Sequence, residues 1–433
     1  MSVRLMLHLL RASAPLLFLT AVSGKPILPA TIFGDFTPTT RLEAADPEAP
    51  IAEAQFNTLP NPLPPNLASL GYHITGTAEF GDLVRLNGSA HFVESISVTM
   101  SSWAIRSDYP GSSAFGFTHP ITVKIYEVDQ RSGQPRPGPL LGRATAPFLI
   151  PWRPEPDPTA PASPLRPWRG PDGNYYGGVA FNITFDLSGL ALALPDDVIV
   201  SVSFNTQQHG EAPLGKEGPY NSLNVGLTSA PPAVGSDLGP GAVYWKTAGG
   251  SFYSDQGAAG VNVLRLDPGW GAYTAAIRVN NSPFGTLADV ATRLTDLHPR
   301  DPVATEAVAQ ARKLVTAALD RSLWQNNRQL QIAWGPLVFD LLSETVGELM
   351  NLAGSRDAAA PVAQRAIDSL LTVGQALADG AMGEAAMGGG NFSGLVRAED
   401  ALEAAATARA MARPDVSIDE LANAWREAQL SLR

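Results

Sequence analysis

The stretch VAFNITFDL, Val179 to Leu187, decides the fold. Val179, Phe181, Ile183, Phe185 and Leu187 alternate with Ala180, Asn182, Thr184 and Asp186, and an extended chain sends successive residues to opposite faces. The same period recurs upstream, with Ile96, Val98 and Met100 against Ser95, Ser97, Thr99 and Ser101, and with Ile121, Val123 and Ile125 against Thr122 and Lys124. Further strands are predicted near 198–204, 242–247, 261–266 and 273–279. The segments between them, such as Arg131 to Pro139 and Pro151 to Gly178, are rich in Pro and Gly and carry no crossover helix. The strands are therefore predicted to be antiparallel. Residues 71–282 then predict an antiparallel β-sandwich or jelly roll with one face of each sheet wet.

Beyond Pro283 the apolar period lengthens to that of a helix. Asp301 is placed to cap a helix with Pro302 at its first position, and Val308, Leu314, Val315 and Leu319 line one face. Helices are predicted over 337–352, 362–377 and 395–412, and Ser417 with Glu420 reads as a capping box heading a last helix through Trp425 and Leu430. Residues 283–433 thus predict an Ala-rich α-helical bundle, separable from the β part at Asn281 to Pro283.

The other end of the chain reads as export. Arg4 and Arg11 precede an apolar run from Ala14 to Val22, and Ala21 and Ser23 stand as a cleavage signal, so residues 1–23 predict a signal peptide whose apolar run is too short to span a bilayer. Residues 24–70, dense in proline, predict an extended leader. The expected product is secreted, extracellular or periplasmic, without a transmembrane segment. The 433 residues include no cysteine, which excludes disulfides, thiol catalysis and thiolate metal sites. The net charge of -11 is spread without a Lys/Arg cluster, which argues against nucleic acid.

Several strings, SLGYHITGTAEFGD from Ser69, VTMSSWA from Val98, FLIPWRPEPDP from Phe148, FNITFDLSG from Phe181 and GPYNSLN from Gly218, resemble an uncharacterised family of bacterial secreted β-sandwich proteins with a C-terminal Ala-rich helical segment. The likeness covers most of 55–280 and is looser over SLW at Ser322, VFD at Val338 and ANAWREA from Ala422. It implies export and fold, and no activity. Sequences of this kind carry two cysteines flanking the long loop, near the positions of Ala160 and Tyr175; this chain has neither, so no disulfide-clamped loop carries over.

Motifs for chemistry are sparse. GEAPLGKE, Gly210 to Glu217, has the glycine and lysine spacing of a phosphate loop, but Glu217 stands where Ser or Thr should hold magnesium and GPYN follows instead of a helix. His73, His91, His119, His209 and His298 form no short-spaced metal pair, and no serine sits in a G-x-S-x-G elbow. Glu155 with Asp157, and Asp196 with Asp197, are the neighbouring carboxylates; glycoside hydrolysis needs two acids facing across a cleft. Glu79 and Asp82 offer oxygen ligands for a structural calcium, with Asp255 or Asp267 as a further acid; two solvated carboxylates are the alternative.

Aromatic residues stand where a core does not obviously need them. Trp152 and Trp168 lie in the Pro-rich loop, Tyr175 and Tyr176 close it beside Asp172 and Asn174, and Trp245, Tyr253 and Trp270 fall near later strand ends. Such rings beside amides and carboxylates suit the C–H faces and hydroxyls of a pyranose, or else fold back to cap the core. The expectation is a secreted or surface-associated, non-catalytic binding protein for polysaccharide or cell-envelope glycan. The alternatives are a secreted polysaccharide hydrolase and a structural envelope protein.

Overall fold

The computed structural model describes residues 53–190, 192–247 and 262–433. The predicted signal peptide, most of the leader, and Tyr253 and Asp255 lie outside the described residues. In chain order the strands are β1 (Ala54–Asn57), β2 (Ser69–Gly71), β3 (Thr77–Arg85), β4 (His91–Ser102), β5 (Phe117–Asp129), β6 (Arg136–Ile150), β7 (Trp168–Arg169), β8 (Tyr175–Tyr176) and β9 (Val179–Asp186). There follow β10 (Ala193–Leu194), β11 (Asp197–Phe204), β12 (Leu223–Thr228), β13 (Ser236–Asp237), β14 (Ala242–Thr247), β15 (Arg265–Pro268), β16 (Thr274–Ala275) and β17 (Ile277–Asn281). One turn of helix, α1 (Tyr72–Thr75), separates β2 from β3. After β17 come α2 (Pro283–Thr295), α3 (Pro302–Ala318), α4 (Gly335–Ala353), α5 (Ala360–Met387), α6 (Phe392–Ala410) and α7 (Pro414–Ser431).

All pairings between these strands are antiparallel, as predicted from the linkers. One sheet runs β1-β17-β4-β12-β16, with β9 and β10 also on β4 and β2 on β12; the other runs β15-β14-β3-β11-β5-β6, with β13 on β3; β7 and β8 make a separate ribbon. The apolar alternates of both sheets, among them Ile96, Val98, Met100, Ile183, Phe185, Val279, Phe80, Val84, Ile121, Val123, Val200 and Val202, enter one buried cluster.

Three expectations change here. The end of the leader is not free: Phe56 is buried, β1 pairs with β17, and β2 pairs with β12. Arg136 to Pro139 is strand rather than loop, because β6 is the outer strand of its sheet, where a residue that cannot donate to the ladder is tolerated. The hydroxyl face of β4 is covered rather than wet: Thr99 and Ser101 are fully buried, Thr99 donates to Asn182 at 2.7 Å and Ser101 to Asn66 at 2.6 Å, while Ser97 lies 2.9 Å from Thr184.

Asp301 caps α3 as expected, its carboxylate accepting from the Ala304 amide at 3.2 Å. α5 runs on to Met387, ten residues beyond the predicted end, and accommodates Gly380 and Gly383 within it. The capping box at the last helix is wrong. α7 starts at Pro414, so Ser417 lies inside it, buried, and donates to the Ala405 carbonyl at 3.0 Å. Alanines 398, 401, 405 and 408 supply the buried face of α6, which lets α6 and α7 approach closely.

The helical part does not hang from a linker. Asn281, Ser282, Pro283 and Phe284 are all buried, and the Ser282 hydroxyl caps α2 by accepting from the Gly285 amide at 3.1 Å. Phe284 stands edge-on to Phe92 of β4 and to Trp324, and the Arg321 guanidinium sits 3.6 Å from the Phe284 ring centre. Asp289 accepts from the Ser89 amide and hydroxyl at 2.6 and 2.7 Å and pairs with Arg293, which also reaches Glu53 at 2.9 Å and Ser369 at 3.0 Å. Arg328 pairs with Glu94 at 3.2 Å. The change of period at Asn281 to Pro283 is therefore a packed seam.

Candidate functional site

Antiparallel pairing assigns each end of the β part a distinct role. The starts of β4 and β10 and the end of β17 face the helices, whereas the ends of β4, β6 and β11 and the starts of β5, β9 and β12 gather at the other end. Loops 103–116, 151–178 and 205–222, with α1, make that second end.

The long loop 151–178 folds around a buried cation. Arg153 donates to the carbonyls of Arg166 at 2.7 Å and Leu165 at 3.1 Å, and burial with the nearby Arg166 charge pulls its pKa down to about 10. Trp168 and Tyr176, 3% and 6% exposed, pair across the β7–β8 ribbon; the Trp168 indole donates to the Gly178 carbonyl at 2.8 Å. The loop is thus a small core of its own, and Trp168 and Tyr176 are not an exposed platform. Trp245, 5% exposed, lies in the main core with its indole donating to Thr77, and half-buried Trp270 packs on it and on Phe80 while donating to Asp267 at 2.9 Å. Of the predicted rings, Tyr175 is exposed and Trp152, like Trp270, is half-buried. Tyr175 is 38% exposed on the outer side of the ribbon.

Trp152 has company that the sequence did not single out. Tyr109 stacks on it at 5.8 Å with 20° between planes, Phe117 lies 5.2 Å away, and its indole donates to the Ser113 carbonyl at 2.8 Å. Phe115, 58% exposed, stands on the same 113–117 segment. These rings come from separate loops joined by strand pairing, so no local spacing announces them. Beyond them Tyr220 stacks on His119 at 5.3 Å, His119 meets Phe204 edge-on, and Phe204 stacks on Tyr72 at 4.1 Å.

The carboxylates here hold loops. Glu155 accepts from the Ser107 amide and hydroxyl, and Asp108 takes both contacts of one Arg166 nitrogen. The Thr159 hydroxyl and amide hold Asp157 below the usual carboxylate range. At Asp172 burial works in the opposite direction, but hydrogen bonds from Tyr176 and Asn174 override it and also lower the pKa. Loop 205–222 is tied down from beneath: Lys124, buried on β5, bonds Glu79 at 3.0 Å and reaches Glu211 of that loop. Gly210 to Glu217 is a surface loop, as its missing magnesium ligand implied.

The structure does not bring Glu79 and Asp82 to one point. Glu79 and Asp82 are three apart on β3 and so face opposite sides of the sheet. Glu79 accepts from Lys124, from Tyr126 at 2.8 Å and from Ser201 at 2.6 Å, whereas Asp82 turns inward to Thr274 and its carboxyl is raised by burial and by Asp237. Among the described residues no group of three or more His, Cys, Asp or Glu is arranged to hold a metal ion, and no helix is long and apolar enough to cross a membrane. Comparison with family models, curated proteins and solved structures finds no match to this chain.

Proposed function

We propose that the protein is an exported, non-catalytic binding protein whose β part is a two-layer sandwich and whose loop end recognises a polysaccharide or cell-envelope glycan. The observation that carries this reading is the Tyr109–Trp152 stack; exposed Phe115 and Tyr175 stand on the same group of loops, which Arg153 and Arg166 fix. Rigid rings at a surface bind sugar faces with little ordering cost. The sandwich reading is supported by the single apolar cluster to which both sheets contribute. Export rests on the N-terminal sequence pattern.

Hydrolysis is less well supported. A general acid in a glycosidase needs a raised pKa and a free proton position, and the loop-end acids Glu155, Asp108, Asp157 and Asp172 are each engaged by neighbours, with Asp157 and Asp172 lowered. A glycan array and polysaccharide pull-down with the intact protein test the proposal. Trp152→Ala and Tyr109→Ala should each abolish retention on the retained polysaccharide with the fold intact. Unchanged retention in both, or none by the wild type on any glycan, overturns it.

A further inference from the structure

At the rim of the loop end, two histidines that lie 136 positions apart in sequence meet: the rings of His73 and His209 have centres 5.8 Å apart with 44° between planes. The Nδ1 atom of each is buried and has no hydrogen-bond partner among the described residues. A buried nitrogen left without a partner costs about 1–3 kcal/mol, and two of them on neighbouring rings call for an explanation.

Both rings are held by backbone that has little freedom. His73 sits in α1, which the Thr75 hydroxyl closes onto the Gly71 carbonyl at 2.7 Å and which ends at Gly76 in a left-handed conformation. Its neighbour Tyr72 is fully buried, stacked on Phe204 and bonded to the Val202 carbonyl at 2.6 Å. His209 sits in a turn in which the Thr206 amide donates to the His209 carbonyl at 2.8 Å and the His209 amide donates to the Thr206 hydroxyl at 3.1 Å. Gly210 follows at φ +113, where a side chain would strike Asn205.

We propose that His73 and His209 form a two-imidazole site for a divalent transition metal of the zinc, nickel or copper class, with the remaining positions left to solvent or an incoming ligand. An imidazole nitrogen lies about 2.0–2.1 Å from bound zinc, which puts each ring centre roughly 3.2 Å from the ion. Two such rings stand roughly 5.2 Å apart at a tetrahedral angle and roughly 6.4 Å apart at full extension, and the observed separation falls between. Neutral imidazole suits these metals, while hard magnesium and calcium prefer the oxygen donors that this spot does not group. Two imidazoles fill two positions of a tetrahedral ion and leave the other two to water or an incoming ligand.

Titration of ZnCl2 into the metal-free protein tests this, read by calorimetry and by the histidine ring resonances. The expected result is one saturable site per chain, with His73 and His209 shifting while His91, His119 and His298 do not. His73→Ala and His209→Ala should each weaken zinc more than about tenfold, and MgCl2 should give no saturable binding. His209→Gln leaves the Thr206 turn in place and serves if His73→Ala does not fold. Zinc binding unchanged in the His209→Gln variant, equal binding of magnesium, or no saturation at millimolar zinc overturns the proposal. Glycan retention by the metal-free protein is unaffected by any of these outcomes, so the two proposals fail separately.

Discussion

At the helical end of the β part Phe284 stands edge-on to Phe92 and Trp324 with Arg321 against its face, whereas at the loop end Tyr109 stacks on Trp152 at a half-exposed surface. The residue types are alike and the settings opposite. One end uses aromatic rings and ion pairs to close a seam between two folded parts; the other uses ion pairs to fix loops and leaves rings toward solvent. Composition therefore does not separate a recognition surface from a core, and the test is what each ring would lose if truncated. The largest expected effect is at the seam. Phe284→Ala should cost about 3–5 kcal/mol, and Trp152→Ala about 1 kcal/mol, read as shifts of the denaturation midpoint. Equal costs would end the distinction between the two poles.

How much of this contrast the sequence carries follows from the range of the interactions. Strands with strict alternation were legible, because Val179 to Leu187 and Ile96 to Met100 report burial locally. The caps at Asp301 and the turn at Gly210 to Glu217 were legible for the same reason. Ser417 misled because Ser-x-x-Glu is also compatible with a helix interior when a neighbouring helix offers a carbonyl, here that of Ala405. Trp168 and Tyr176 misled because the Arg153 that organises their loop looks, in sequence, like any surface cation among prolines. The Tyr109–Trp152 stack and the His73–His209 pair join residues 43 and 136 positions apart, a relation that only sheet order supplies.

The charged groups sharpen the comparison further. Asp289 is buried at the seam and satisfies the Ser89 amide, the Ser89 hydroxyl and Arg293, so Asp289→Ala should cost about 2–3 kcal/mol by leaving those donors unpaired. Asp108→Ala removes an exposed pair with Arg166 at the loop end and should cost under about 1 kcal/mol. Double-mutant cycles with Arg293→Ala and Arg166→Ala read the two couplings directly.

Glu94 gives the seam a pH dependence. Burial, with Asp186 adding to it and Arg328 opposing it, raises its pKa to about 7. A carboxyl whose folded pKa exceeds its unfolded value contributes stability that is complete below the unfolded pKa and is lost as pH rises through the folded one. The seam should therefore weaken between about pH 4.5 and pH 7. Glu94→Gln should be more stable than the wild type by about 1–2 kcal/mol at pH 8 and no more stable near pH 4. A constant difference across that range would remove Glu94 as the source.

Glu211 gives the opposite sign and the smallest effect, at the other end. Its hydrogen bond from Lys124 holds the carboxyl below the usual range, with the Lys124, Arg143 and Lys246 charges assisting and burial opposing. A depressed carboxyl contributes stability present above the unfolded pKa and lost as pH falls through the folded one. Glu211 is well exposed, so the expected loss in Glu211→Gln at neutral pH is about 0.5 kcal/mol and should vanish in acid. Because the bond ties loop 205–222 to the sheet rather than closing the core, the change should appear locally. Amides of Leu214 and Gly215, which donate to Thr206 and Gln207 across the turn, should exchange faster while the global midpoint stays put. If Glu211→Gln instead lowered the midpoint as far as Asp289→Ala, the loop end would be part of the same cooperative seam, and its rings would have to be counted with the core.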